Sequence, residues 1–183
     1  MALLHSHTKE TGRTAPDFTL PCVDGHQYSL SHYQEKKWIA VIFTCNHCPY
    51  AIASWDTILD LVQTYPDIWF FCISSNNAAL VPADGFDQMK SLSDSSHFPF
   101  PYLYDEDQSV AKAYNAQCTP DNYLFKNTWT ALELFFHGRF NDNRQDPSLV
   151  TKKDFEAHIN KLLNNQEPDQ KQYPSMGCSI KRK

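Results

Sequence analysis

Cys45-Asn46-His47-Cys48 holds two thiols three residues apart, with Pro49 directly after them. Thiols at that spacing can close a disulfide without distant chain movement. At a helix start, a thiolate is stabilised by unpaired backbone N–H groups and the positive end of the helix dipole, which lowers its pKa below the free value of about 8.5. A protonated His47 would push the same way. Six cysteines would suit a disulfide framework in a small secreted domain, but in a reducing compartment a close pair reads as catalytic or metal-binding. Structural zinc needs four ligands. The chain has no second CxxC or HxxxH, and the remaining donors would be His47, His5, His7 or Cys118. Redox chemistry is the reading that the motif favours.

The elements around the motif supply the context it needs. Trp38 to Thr44 is apolar without alternation, as in a central strand covered on both faces, and it stops at Cys45. From Pro49, the spacing of Ile52, Trp55, Ile58, Leu59 and Val62 predicts one helical face, ended by Tyr65-Pro66. Ile68 to Ile73 follows as a second buried strand, so the motif sits at the first turn of a right-handed βαβ unit. Before it, Asp17–Cys22 and Tyr28–Leu30 flank an Asp24-Gly25 turn and predict a hairpin, which Pro21 confines to an edge. After it come a helix over Asp84–Leu92, an extended Phe98–Pro101 and a short strand at Tyr102–Tyr104. A helix over Gln108–Tyr114, two strands at Asp121–Phe125 and Leu132–Phe136, and a last helix from Thr151 to Leu163, with Thr151 as its cap, complete the pattern. The expected organisation is one domain over residues 13–165, an N-terminal arm over 1–12 and a polar tail over 166–183.

Composition narrows the function classes. With 16 Lys and Arg against 21 Asp and Glu, the net charge of −5 repels a phosphate backbone, so nucleic acid is not an expected partner. Lys181-Arg182-Lys183 reads as a solvated tail end. No apolar run reaches the length of a membrane span and none resembles a signal peptide, so the expected location is cytoplasmic.

Three segments carry a family resemblance: Phe43-Thr-Cys-Asn-His-Cys-Pro-Tyr50, Tyr102-Leu-Tyr-Asp-Glu through Cys118-Thr-Pro-Asp121, and Pro174-Ser-Met-Gly-Cys-Ser-Ile-Lys181. From about residue 13 to the end, the chain resembles a bacterial peroxiredoxin-like branch of the thioredoxin superfamily, in the redoxin or alkyl hydroperoxide reductase (AhpC/TSA) class. The resemblance implies an α/β fold, a thioredoxin-like three-layer α/β/α sandwich with an N-terminal β-hairpin and an extended C-terminal tail. It also implies two possible registers. In the thioredoxin register, Cys45 attacks the target disulfide and Cys48 resolves the mixed disulfide. In the peroxiredoxin register, Cys48-Pro49 stands in the place of the peroxidatic Cys-Pro, with Pro49 as a good first helical residue.

Where peroxiredoxins place an arginine, Thr119-Pro120 stands here, and thioredoxins carry a cis-proline at that position. Such a bond would lay the backbone of Thr119 beside the cysteines as a docking edge for a substrate strand. Two departures from the thioredoxin pattern are Thr44 in place of Trp and Ile39 in place of a buried Asp, which leaves His47 or water to handle the proton. Asn46 completes the motif. Cys118 reads as a small buried residue or a third redox thiol, Cys22 and Cys72 as core, and Cys178 as a tail residue or, with the tail folded back, a resolving thiol. Arg139 reads as a turn residue or as a source of positive potential toward a thiolate.

The reading is thus an enzyme: a thiol-disulfide oxidoreductase exchanging electrons through a Cys45–Cys48 couple on a protein or small-molecule thiol, with Cys45 as nucleophile, Cys48 as resolver and Pro120 as docking edge, needing no cofactor and no metal. The alternatives are a peroxiredoxin-like antioxidant peroxidase using Cys48, and a soft-metal (copper or zinc) binding protein, since CxxCP is one residue short of the CxxxCP of Sco-type copper chaperones. A monomer or a homodimer suits each.

Overall fold

A computed structural model describes residues 3–6, 11–143 and 146–183. In chain order its elements are β1 (Leu3–His5), β2 (Thr19–Pro21), β3 (Gln27–Ser29), β4 (Trp38–Thr44), α1 (Pro49–Ile52), α2 (Trp55–Thr64), β5 (Ile68–Ser74) and α3 (Phe86–Ser96). They continue with β6 (Tyr102–Tyr104), α4 (Ser109–Tyr114), β7 (Cys118–Thr119), β8 (Asp121–Asn127), β9 (Leu132–Gly138), α5 (Asp154–Leu163) and β10 (Met176–Ser179).

The apolar run before the motif becomes the middle of a five-stranded sheet in the order β6-β5-β4-β8-β9. β4 pairs parallel with β5 and antiparallel with β8, so all of its ladder groups are used and both its faces are buried. Alternation along the strands sends Ala40, Ile42 and Leu124 to one face and Ile39, Val41 and Phe43 to the other. On the first face, Trp55 of α2 meets Tyr102 edge-on at 5.5 Å and Phe155 of α5 meets Phe136 at 5.8 Å. On the second, Tyr114 of α4 lies 5.4 Å from Phe43, and Phe18 before the hairpin lies 5.4 Å from Phe71. Helices thus cover both sides of the sheet, the three-layer thioredoxin-like arrangement that the resemblance implies. The β2–β3 hairpin turns at Asp24, whose carboxylate accepts from the amide of His26, and at Gly25, whose φ of +91° suits glycine.

Three local expectations are corrected. The helix after the motif is broken at Ala53-Ser54, where the Ser54 hydroxyl donates to the carbonyl of Ala51 at 2.7 Å. The break turns Ile52 out to solvent, at 51% exposure, while Trp55 and Ile58 stay buried. The last helix starts at Asp154 rather than Thr151, because the Thr151 hydroxyl and amide are taken by Asp142.

The third correction bears on the site: the extended C-terminal tail is present, but it carries a strand and its basic end is not freely solvated. Met176–Ser179 is a strand, antiparallel to β7 on one side and to β1 on the other. The basic end is tied down beyond it. The amide of Lys181 donates to Asn76 Oδ1 at 2.7 Å, its carbonyl accepts from Asn77, and Arg182 Nη2 reaches the carbonyl of Ala116 at 2.6 Å. His5 lies in β1, and its expected neighbour His7 lies outside the described residues.

Candidate active site

β4 ends at Thr44 and delivers Cys45 at its C-terminal edge, and the chain turns so that Cys48 becomes the residue capping α1, with Pro49 as the first helical residue. Both thiols are fully buried. Across from them, Thr119-Pro120 is a cis peptide. Thr119 touches both sulfurs: its hydroxyl is 3.3 Å from Cys45 Sγ, and its carbonyl accepts from Cys48 Sγ at 3.3 Å. Cys45, Cys48, Thr119 and Pro120 are therefore brought together as the resemblance implies.

The two thiols have different environments. Cys48 is pulled down to a pKa of about 4, first by the Cys45 thiol donating to it and then, against the cost of burial, by the Cys178 thiol, the Ala51 amide and the Thr119 hydroxyl. Cys45 is pushed well up by that same shared hydrogen bond, by burial and by the nearby Asp84 carboxylate. A thiolate is stabilised on Cys48 and disfavoured on Cys45.

The two residues between the cysteines are clamped by a side chain that the sequence did not mark as functional. Asp84, fully buried, accepts at Oδ1 from the amides of Asn46 at 2.8 Å and His47 at 3.1 Å. Its Oδ2 meets His47 Nδ1 at 2.5 Å and accepts from Asn76 Nδ2 at 2.8 Å. Asn46 is further held by Tyr102, whose hydroxyl donates to Asn46 Oδ1 at 2.9 Å. The thioredoxin pattern has a buried Asp where this chain has Ile39, which lies in the core of β4. Here the buried carboxylate comes instead from the short 3-10 turn Pro82–Asp84. Cys45, His47 and Asp84 also bring three potential metal donors within 4.8 Å of one another, although both Asp84 oxygens already accept two hydrogen bonds each.

The remaining candidates divide. Cys118 is buried, its thiol donating to the carbonyl of Pro120 at 3.5 Å, and burial pushes its pKa far up. Arg139 does not turn toward the sulfurs: its Nε donates to Asp154 at 2.6 Å and its guanidinium lies 4.5 Å from the centre of the Tyr173 ring. It lines a cavity of about 290 Å³ that Tyr50, Pro120, Asn122, Tyr173 and Met176 also border. Asn122 Oδ1 is buried there without a hydrogen-bond partner.

The docking edge expected at Thr119 is not open. β10 fills it, with Cys178 opposite Thr119 in the register. The approach is close enough that a Cβ on Gly177 would sit 2.0 Å from the Thr119 carbonyl oxygen. Cys178 is buried in one apolar cluster with Cys45, Cys48 and Ala51, and burial followed by its hydrogen bond to Cys48 raises its pKa to about 12.

Among solved structures, an uncharacterized conserved protein from Geobacillus kaustophilus superposes with a TM-score of 0.92 at 35% identity, over 100% of this chain and 97% of that one. A hypothetical protein from Sinorhizobium meliloti 1021 gives 0.90 at 30% identity, with 98% of each chain covered. A putative thiol:disulfide interchange protein DsbE from Chlorobium tepidum shares the fold at a TM-score of 0.63 and 21% identity, over 84% of this chain and 98% of that one. A comparison with curated proteins returned no match. Residues 11–131, which hold the CxxC turn, the Asp84 clamp and Thr119-Pro120, match the AhpC/TSA family, and the chain belongs to that family of thioredoxin-like redox proteins.

Proposed function

We propose that the chain is a thiol-disulfide oxidoreductase working through a Cys45–Cys48 couple, with Cys48 rather than Cys45 as the attacking thiolate. The observation that carries the couple is the convergence of both sulfurs on Thr119. The choice of Cys48 is supported by the hydrogen bonds it accepts from Cys45, Cys178 and the Ala51 amide, and on ionising it gives up its own bond to the Thr119 carbonyl. In the reductive direction, the Cys48 thiolate attacks one sulfur of a substrate disulfide, the S–S bond breaks, and the other substrate sulfur leaves as a thiolate. Cys45 then loses its proton and attacks Cys48 Sγ, releasing the second substrate thiolate and closing Cys45–Cys48. The substrate gains two electrons and the protein loses two.

With β10 on the Thr119 edge, a low-molecular-weight thiol or disulfide entering by the cavity beside Tyr50 and Pro120 suits the site better than a protein strand. A reducing compartment such as the cytoplasm would keep buried Cys22, Cys72 and Cys118 as thiols. The test is mass spectrometry of alkylated protein equilibrated across a glutathione redox ladder, following each cysteine. A joint two-electron transition of Cys45 and Cys48 supports exchange, and independent transitions reject it.

Peroxide reduction is the second reading, favoured by the Cys48-Pro49 helix start and the depressed Cys48 pKa. It requires rapid consumption of a hydroperoxide coupled to a thiol donor. Consumption no faster than by free thiol excludes it.

A further inference from the structure

The cysteine nearest the CxxC pair in space is the most distant in sequence, and it arrives on a strand that lies where a substrate strand would lie. Cys178 pairs in register with Thr119, the residue that meets both reactive sulfurs. It is 3% exposed, shares a cluster with Cys45 and Cys48, and hydrogen-bonds Cys48. Its placement is enforced from several sides. Gly177 leaves no room for a side chain against Thr119, and Ser175 exchanges hydrogen bonds with Ser6. Asn76 joins the segment to the motif, accepting from the amide of Lys181 with Oδ1 while donating to Asp84 with Nδ2.

We propose that Cys178 is the third thiol of the redox centre, a built-in partner that receives the disulfide from the CxxC pair. The proposal rests on the exchange reading above. In the step, the Cys178 thiol gives up its proton and its sulfur attacks Cys48 Sγ. The Cys45–Cys48 bond breaks, the Cys48–Cys178 bond forms, and Cys45 leaves as a thiolate and takes up a proton. One S–S bond replaces another, so no oxidant or reductant is consumed. Cys48 is the common neighbour of the other two sulfurs and the only one that must change partner. A thiol held in contact presents an effective concentration far above that of millimolar glutathione in solution, so the internal partner should outcompete it.

The test uses the full chain as wild type and as Cys45→Ser, equilibrated across the glutathione ladder, acid-quenched, alkylated, digested and weighed. The wild-type arm reports the Cys45–Cys48 couple, and its failure rejects the exchange reading alone. The Cys45→Ser arm reports Cys178: the Cys48–Cys178 cross-linked peptide should exceed the Cys48–glutathione adduct at least tenfold. Glutathione on Cys48 with Cys178 fully alkylated overturns the proposal. Should Cys45→Ser not fold by circular dichroism, wild type oxidised with less than one equivalent of diamide and quenched at short times decides it. A Cys48–Cys178 cross-link in at least a tenth of the oxidised molecules supports the relay, and its absence overturns it.

Discussion

Cys48 accepts hydrogen bonds from two thiols, an amide and a hydroxyl, whereas Cys45 faces a buried carboxylate, so pH acts on the pair unequally. Alkylation of Cys48 should persist as the pH is lowered, falling only toward about 4. In the reduced protein Cys178, held near 12 by burial and by its bond to Cys48, should be alkylated slowly at neutrality; the Cys48 part of that rise is lost once Cys48 is in a disulfide. A rate profile by mass spectrometry checks both, and a Cys48 inflection near 8 or 9 would contradict the assigned environment. Stability follows by linkage. A thiol whose folded pKa is depressed contributes fully above its unfolded value, and that contribution is lost as pH falls through the folded value. The stability advantage of the reduced protein over Cys48→Ser should therefore shrink between about pH 9 and about pH 4. A stabilised thiolate also favours the reduced form, so the couple should be more oxidising than thioredoxin at about −270 mV. Asp84→Ala strips three hydrogen bonds from the motif and a fourth from Asn76, and urea unfolding should register a loss of about 3 kcal/mol.

Among the elements, β10 sets access to the site. Gly177→Ala puts a methyl group into the Thr119 carbonyl, so the strand must move, and a bulky maleimide should reach Cys48 at least tenfold faster than in wild type. An unchanged rate would mean that the strand does not cover the thiol. β10 was not legible in the sequence because Met-Gly-Cys-Ser has no alternation and is held by backbone pairing at a position that only the fold creates. The βαβ unit, by contrast, was plain, since unbroken apolar runs and helical spacing report local burial directly. Asp84 stood out only as a helix start, because its partners Asn46 and His47 come from a different part of the chain and nothing local marks a carboxylate that will be buried. The break after Ile52 has no local mark, because Ser54 is compatible with a continuous helix and its hydrogen bond to Ala51 forms only in the folded turn.

Over the whole molecule, the edges of the main sheet are both covered. The hairpin reaches β6 through the Cys22–Leu103 bridge, and residues Gly12 to Ala15 hydrogen-bond along β9. Removing residues 174–183 would open the Thr119 edge and the apolar cluster beneath it, and an uncovered edge invites pairing with another copy. The truncated chain should shift toward dimer or larger species in light scattering at micromolar concentration, and an unshifted mass would show that β7 is too short to recruit a partner. None of the helices among the described residues is long and apolar enough to cross a membrane. The small sheet joins Leu3–His5 and Met176–Ser179, segments from opposite ends of the chain, over the reactive pair. Closing so long a loop is entropically costly, and contacts of that kind form late in folding. On that ordering the thiols should be enclosed late, so refolding yield in an oxidant should be higher when reductant is kept present until the final strand has docked.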